Sequence, residues 1–261
     1  MIRLKVQIGE ETYTLGSPIS ASREVQFNPT PKSSGAFYLP PFQISTFEVK
    51  NIFVGDILRG GSCNVTIHNY SPHNLTHLET SLHIVDNGIP VSAIPNKHLN
   101  GILYLIDLTK TYDQDDECIK WDDISEQITN LHPSVTFIAL KTYSSTLDQF
   151  HDFSGEDPLF LDPFAAKMIH DLKNNKINGL ILDLPSIDKE TDGGKLLAHR
   201  NFLGLPREGI KSTVEEFRFI VELAYFENLQ QGYYYLNITP PKIDDNACIT
   251  DIQLSKIKGL E

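Results

Sequence analysis

The segment from His73 to His83, HNLTHLETSLH, gathers three of the chain's nine histidines and one glutamate into eleven residues. Imidazole nitrogens and carboxylate oxygens are the usual ligands of zinc and manganese, and placing them on one short segment lowers the cost of ordering a site. His73 and His77 are four apart, Glu79 follows two later and His83 four after that, so a turn leading into a helix would aim all four at one point. Pro72 supports the turn. Thr76 and Glu79 also match a capping box, with Thr76 as cap and Glu79 reaching back to its amide, a role that needs no metal. Metal ligands normally converge from several parts of a fold, so further donors must come from elsewhere in the chain.

The elements that would position them differ between the two halves. MIRLKVQIGEETYTL alternates apolar and polar residues across a Gly-Glu turn, as a hairpin does, and FEVKNIFVGDILRGG, NVTIHNY, GILYLIDLTK and SVTFIALKTY read as strands between Pro and Gly. Residues 16–43 hold many turn formers and few periodic apolar positions, which predicts an extended surface loop whose Phe27, Phe37 and Tyr38 are core or pocket aromatics. In the second half, Asp162 and Pro163 open a helix that Asn178 and Gly179 end, with Ala165, Met168, Ile169 and Leu172 as its apolar stripe. GLILDLPSID then reads as a strand ending at a carboxylate. WDDISEQITNL predicts a helix, and Ser212 with Glu215 predicts a capped helix running through FRFIVELAY. Strand, helix and strand in succession point to an α/β layer and one elaborated domain over residues 1–261.

Composition narrows the function. A net charge of -12 with no basic run interleaved with aromatics argues against nucleic acid. No stretch approaches the roughly 20 apolar residues of a membrane helix, and the N-terminal stretch lacks the apolar core of a signal peptide. Cys63, Cys118 and Cys248 are odd in number and form no CxxC, which fits a reducing compartment, so a cytoplasmic protein is expected. The acidic run DQDDE at 113–117 lacks EF-hand spacing and reads as a solvated loop.

HNLTHLETSLH resembles the HxGTHxDxPxH signature of the metal-dependent cyclase family, which includes bacterial kynurenine formamidase, isatin hydrolase and certain dienelactone hydrolases. LILDLPSIDKETDGGKLLAHRNFLG resembles the family's DxPSxD strand and loop with the following AHR, and YFENL resembles its Glu-Asn-Leu element. IFVGDILRGGSCNV and DFSGEDPLFLDPFAAKMI are similar to a divergent branch, so the resemblance spans most of residues 50 to 240. It implies a swivelling β/β/α fold with a mixed sheet and flanking helices. It implies one or two divalent ions, zinc or manganese, held by His73, His77, Glu79, His199 and Glu227, with His83 catalytic. It also implies a homodimer or homotetramer acting on a small molecule.

The activity that follows is hydrolysis of a small amide, cyclic amide or lactone, with metal-bound hydroxide attacking the carbonyl and His83 shuttling the proton. Some positions depart from the family pattern. Leu75 stands at the family's glycine, Glu79 at its aspartate and Ser81 at its proline, and 28 positions separate His199 from Glu227, more than in the short version. Leu75 favours the competing reading of a noncatalytic metal-binding or ligand-binding relative. Asp183 and Asp188 read as turn or helix caps, and Arg200 stays unassigned between pairing with a carboxylate and binding substrate.

Overall fold

The computed structural model describes residues 4–26, 30–172, 176–207 and 217–260. Its centre is four parallel strands, Asn100–Asp107, Val135–Lys141, Gly179–Leu182 and Phe219–Glu222, lying side by side in that order. Each is a short apolar run because each is covered on both faces. Antiparallel strands extend the sheet at both ends. His77–Thr80 and then Ala247–Ile249 follow Phe219–Glu222, while Gly232–Ile238, Ile252–Lys258 and the N-terminal hairpin follow Asn100–Asp107.

Successive strand residues point to opposite faces, and the two cores divide accordingly. One face, with Ile106, Ile138, Leu180 and Ile220, packs against the three α-helices of the described residues: α1 (Trp121–Thr129), α2 (Pro163–His170) and α3 (Leu197–Leu203). The other, with Leu78, Phe137, Ile181 and Val221, is covered by Ala21, Val91, Ile94 and Phe226 from loops and turns. Leu78 is fully buried there, and Leu78→Ala would cost about 2–5 kcal/mol. The result is the α/β mixed sheet with flanking helices that the resemblance implied.

The first-half strands form except in FEVKNIFVGDILRGG, which holds two two-residue strands, Glu48–Val49 and Phe53–Val54, and a 3-10 turn at Ile57–Arg59. The hairpin Lys5–Ile8 and Glu11–Leu15 closes over Gly9, whose φ of 61° is the left-handed conformation a two-residue turn needs. Between residues 16 and 43 the described chain is largely irregular, apart from Ile19–Ser20 beside Gln253 and Leu254. Phe37 is half-buried and Tyr38 exposed, while Phe27 lies outside the described residues. The three cysteines are unpaired. No helix among the described residues is long and apolar enough to cross a membrane.

Three expectations need correction. FRFIVELAY contains a strand, Phe219–Glu222, because Phe219, Ile220 and Val221 are buried between two neighbouring strands, whose ladder overrides helical spacing. Its expected cap at Ser212 and Glu215 lies outside the described residues. The helix opened by Pro163 ends at His170, well before Asn178, and the Asp162 side chain makes no cap bond. HNLTHLETSLH forms a one-turn 3-10 helix (Pro72–Asn74), a strand (His77–Thr80) and a second 3-10 turn (Ser81–His83). A continuing helix does not form there.

Candidate metal centre

Strand geometry does what the helix was expected to do. His77 and Glu79 are two apart, so both point to one face, while Leu78 between them enters the opposite core. The antiparallel register sets Glu222 directly opposite His77, which puts the two side chains on the same face. His73 approaches from the preceding turn and His83 from the following one. Thr76 does not cap. Its hydroxyl donates to the Leu223 carbonyl at 2.6 Å and accepts the Arg23 amide at 2.8 Å, stitching the ends of the strands that carry His77 and Glu222.

The remaining imidazole comes from the opposite side. Asp188 accepts the amides of Ala198 (2.7 Å) and His199 (3.0 Å) at the start of α3, and also the His199 ring Nδ1 at 2.6 Å. One carboxylate therefore caps the helix and orients the ligand. Asp183 accepts the Thr142 amide and hydroxyl and stays out of the cluster. Arg200 is buried, with Nη1 donating to the Pro206 carbonyl.

These residues converge as two overlapping triads that share Glu79. His73, His77 and Glu79 form one, and Glu79, His199 and Glu222 the other, with donor atoms of each triad all within 4.8 Å of one another. His77 Nε2 lies 3.0 Å from His73 Nδ1, 3.6 Å from Glu79 Oε2 and 3.5 Å from Glu222 Oε2. His199 Nε2 lies 2.5 Å from Glu79 Oε1 and 3.5 Å from Glu222 Oε1. His83 Nε2 is 3.8 Å from Glu79 Oε2, and its Nδ1 faces Asn246 Oδ1 at 3.3 Å. Asn74 ties the early loop to this motif by accepting the Ala36 amide and donating to the Pro40 carbonyl.

Two expectations are revised at the site. Glu227 is not in the cluster: its side chain is exposed beside Asn228, and its carbonyl faces the Lys141 ammonium. Glu222, at the end of a buried strand, occupies the place instead. An apolar run ending in a carboxylate, Phe-Ile-Val-Glu, was the available signal, and the helical reading of that run hid it. Leu75 needs no glycine, because its φ of -129° and ψ of 171° are ordinary extended backbone. Its side chain is buried, and its carbonyl accepts the His77 ring at 2.9 Å.

The electrostatics call for a cation. Glu79 and Glu222 are 1% and 2% exposed, a costly placement for two neighbouring carboxylates. Burial and then the Glu79 charge raise the Glu222 pKa. Burial pushes His73 down to about 3, with the neighbouring His77 charge adding to it. Burial opposes charge on His77 as well, yet its hydrogen bonds to Glu222 and Glu79 outweigh that and lift it to about 9. Burial of His199 is likewise overcome by Glu79 and Asp188, which hold its pKa well above the ordinary imidazole value. Without metal, protons on His77 and His199 balance the carboxylates.

The donor set fits a divalent ion in that role. His77 and His199 each have Nδ1 anchored, to Leu75 and Asp188, and present Nε2 inward, the arrangement that orients metal-binding imidazoles. Nitrogen and oxygen donors without sulfur suit zinc or manganese.

Solved structures share this architecture. A potential metal-dependent hydrolase with cyclase activity superposes with a TM-score of 0.66 at 20% identity, covering 92% of this chain and 97% of that one. A predicted metal-dependent hydrolase from Bacillus stearothermophilus gives 0.64 at 19% identity, covering 92% and 98%. Isatin hydrolase A from Labrenzia aggregata, bound to benzyl benzoate, gives 0.67 at 15% identity, covering 92% and 93%. No curated protein matches the sequence. The model of the family described as "Putative cyclase" matches residues 6–189, a span that includes HNLTHLETSLH and both Asp183 and Asp188. The chain belongs to that cyclase family.

Proposed function

We propose that this chain is a metal-dependent hydrolase of a small amide, cyclic amide or lactone. The observation that carries the reading is the pair of overlapping His/Glu triads sharing buried Glu79. Its only partly exposed imidazoles are His73 and His83, with side chains 21% and 29% accessible, so these two mark the mouth. His77, His199, Glu79 and Glu222 would hold the metal from within, with His73 as the outer ligand; the two triads allow one ion or two.

Bound there, zinc or manganese supplies Lewis acidity, which polarises a carbonyl and lowers the pKa of water toward neutrality. The protein supplies the rest. The Asn246 carbonyl oxygen accepts the His83 Nδ1 proton and leaves Nε2 as the basic nitrogen, turned toward the cluster. From that position His83 takes the proton of the attacking water and delivers it to the departing nitrogen or oxygen. Buried Leu75 and the closed floor keep bulk water to the His73 and His83 side.

Isatin hydrolases among the similar structures make isatin, a cyclic amide, a sensible first substrate, with an aryl formamide and a lactone beside it. The noncatalytic alternative drew its support from Leu75, and the extended Leu75 backbone removes that support. The test is turnover of these three compounds by protein stripped with a chelator and then reloaded with zinc or manganese. Activity that disappears on stripping and returns on reloading is expected. A fully loaded protein inert toward all three classes contradicts the proposal.

A further inference from the structure

Proton transfer through His83 requires its Nε2, the nitrogen turned toward the cluster, to be free of a proton. A neutral imidazole carries its proton on either nitrogen, and the hydrogen bond made by the other nitrogen decides which. For His83 that bond goes to Asn246, whose side-chain amide can present either end to the ring. With Oδ1 toward the ring, Nδ1 keeps the proton and Nε2 is bare. With Nδ2 toward the ring, Nδ1 must accept, the proton moves to Nε2, and that nitrogen can no longer take one from water.

Asp245 chooses between these two settings. Its Oδ1 accepts both the Asn246 backbone amide and the Asn246 side-chain Nδ2, each at 2.7 Å. An ionised carboxylate has no proton to give. Turning the Asn246 amide over would set two acceptor oxygens against each other and lose a charge-assisted bond. The backbone holds both residues where this works: the Asn246 carbonyl accepts the Thr80 amide at 3.1 Å, next to Glu79, and the Asp245 carbonyl accepts the Val91 amide at 3.0 Å.

Glu79 pulls the other way, because its Oε2 would attract a proton on Nε2. At 3.8 Å that oxygen lies beyond hydrogen-bond reach, whereas Asn246 Oδ1 stands 3.3 Å from Nδ1. We infer that Asp245 is a positioning residue, which fixes the Asn246 amide and through it keeps the His83 proton on Nδ1. The use made of Nε2 rests on the proposed hydrolysis; the tautomer itself rests on hydrogen-bond geometry alone.

Nitrogen-15 NMR of the imidazoles reads the tautomer directly. The full chain is incubated with diamagnetic zinc at about pH 8.5, where a free imidazole is neutral, and the His83 signals are assigned by their loss in His83→Gln. Wild type is expected to carry the proton on Nδ1 and to leave Nε2 bare. In Asp245→Asn the exposed side chain at 245 can donate or accept, so both amide settings open. The Nε2–H form should then rise to a comparable population, and kcat should fall several-fold at unchanged KM and zinc content. An acceptor-only side chain beside the ring makes the amide setting irrelevant, so Asp245→Asn/Asn246→Asp should restore the Nδ1–H form, a rescue that a merely structural role for Asp245 does not produce. Wild-type His83 protonated on Nε2 overturns the inference, as does an unaltered spectrum in Asp245→Asn or a double variant that stays on Nε2. Wild type that shows the Nδ1–H form yet turns over no amide or lactone contradicts the hydrolase reading and leaves the role of Asp245 standing.

Discussion

The floor and the mouth of the cluster are built differently. On the floor three of the four donors have a partner outside the cluster: His77 is held by the Leu75 carbonyl, His199 by Asp188, and Glu222 by the Ile187 amide at 2.9 Å. At the mouth His73 and His83 are partly exposed, and the second partner of His83 is a single asparagine at 3.3 Å. A fixed floor holds an ion in place, while a looser, wetter rim lets an imidazole exchange protons with substrate and solvent. On the proposed reading, binding and proton transfer fall to separate residues, and substitutions can separate them.

The largest effect is expected on the floor. His77→Ala and Glu222→Ala each remove a buried donor and should abolish tight metal retention, measured by plasma mass spectrometry of untagged protein. At the mouth, His83→Ala should leave metal content intact while lowering kcat by about 10²–10⁴-fold, the usual contribution of a positioned acid–base group. An equal loss of metal in that variant would erase the distinction between floor and rim. Smaller again is Asp188→Asn, which keeps an acceptor for α3 but loses the carboxylate behind His199; metal affinity should fall about 10–100-fold in a chelator competition.

Asp183 gives the smallest effect, away from the cluster. Burial raises its pKa from 3.8 to about 6, despite hydrogen bonds from Thr142. The folded state therefore holds this proton more tightly than the unfolded chain, so the stability it contributes is full below pH 3.8 and is lost as pH rises through about 6. Thermal melts of wild type and Asp183→Asn should diverge across that window, with the variant showing the flatter profile.

Sequence legibility followed the same division. His73, His77, Glu79 and His83 were legible because four ligand-type residues on one short segment are rare by chance, whichever backbone carries them; the turns at Pro72–Asn74 and Ser81–His83 are what bring the outer two in. The backbone itself was not legible: the spacing of four and the Thr76/Glu79 pair suit a helix, and only the slot between Phe219–Glu222 and Ala247–Ile249 makes it a strand. Glu222 was missed for a related reason. Its place opposite His77 is a property of register between segments some 140 residues apart, which local pattern does not encode. Glu227 had the motif and lacked the burial. Asn246 carried no local signal, since its role depends on the turn that brings it beside His83.

The central claim is that the strand pair His77–Thr80 and Phe219–Glu222 builds a metal floor. Metal content of untagged wild type, Glu222→Ala and Glu227→Ala, after equal incubation with zinc and manganese, tests it most directly. The account predicts near-stoichiometric metal in wild type and Glu227→Ala and little in Glu222→Ala. Metal lost from Glu227→Ala but kept by Glu222→Ala, or none bound by wild type, would contradict it.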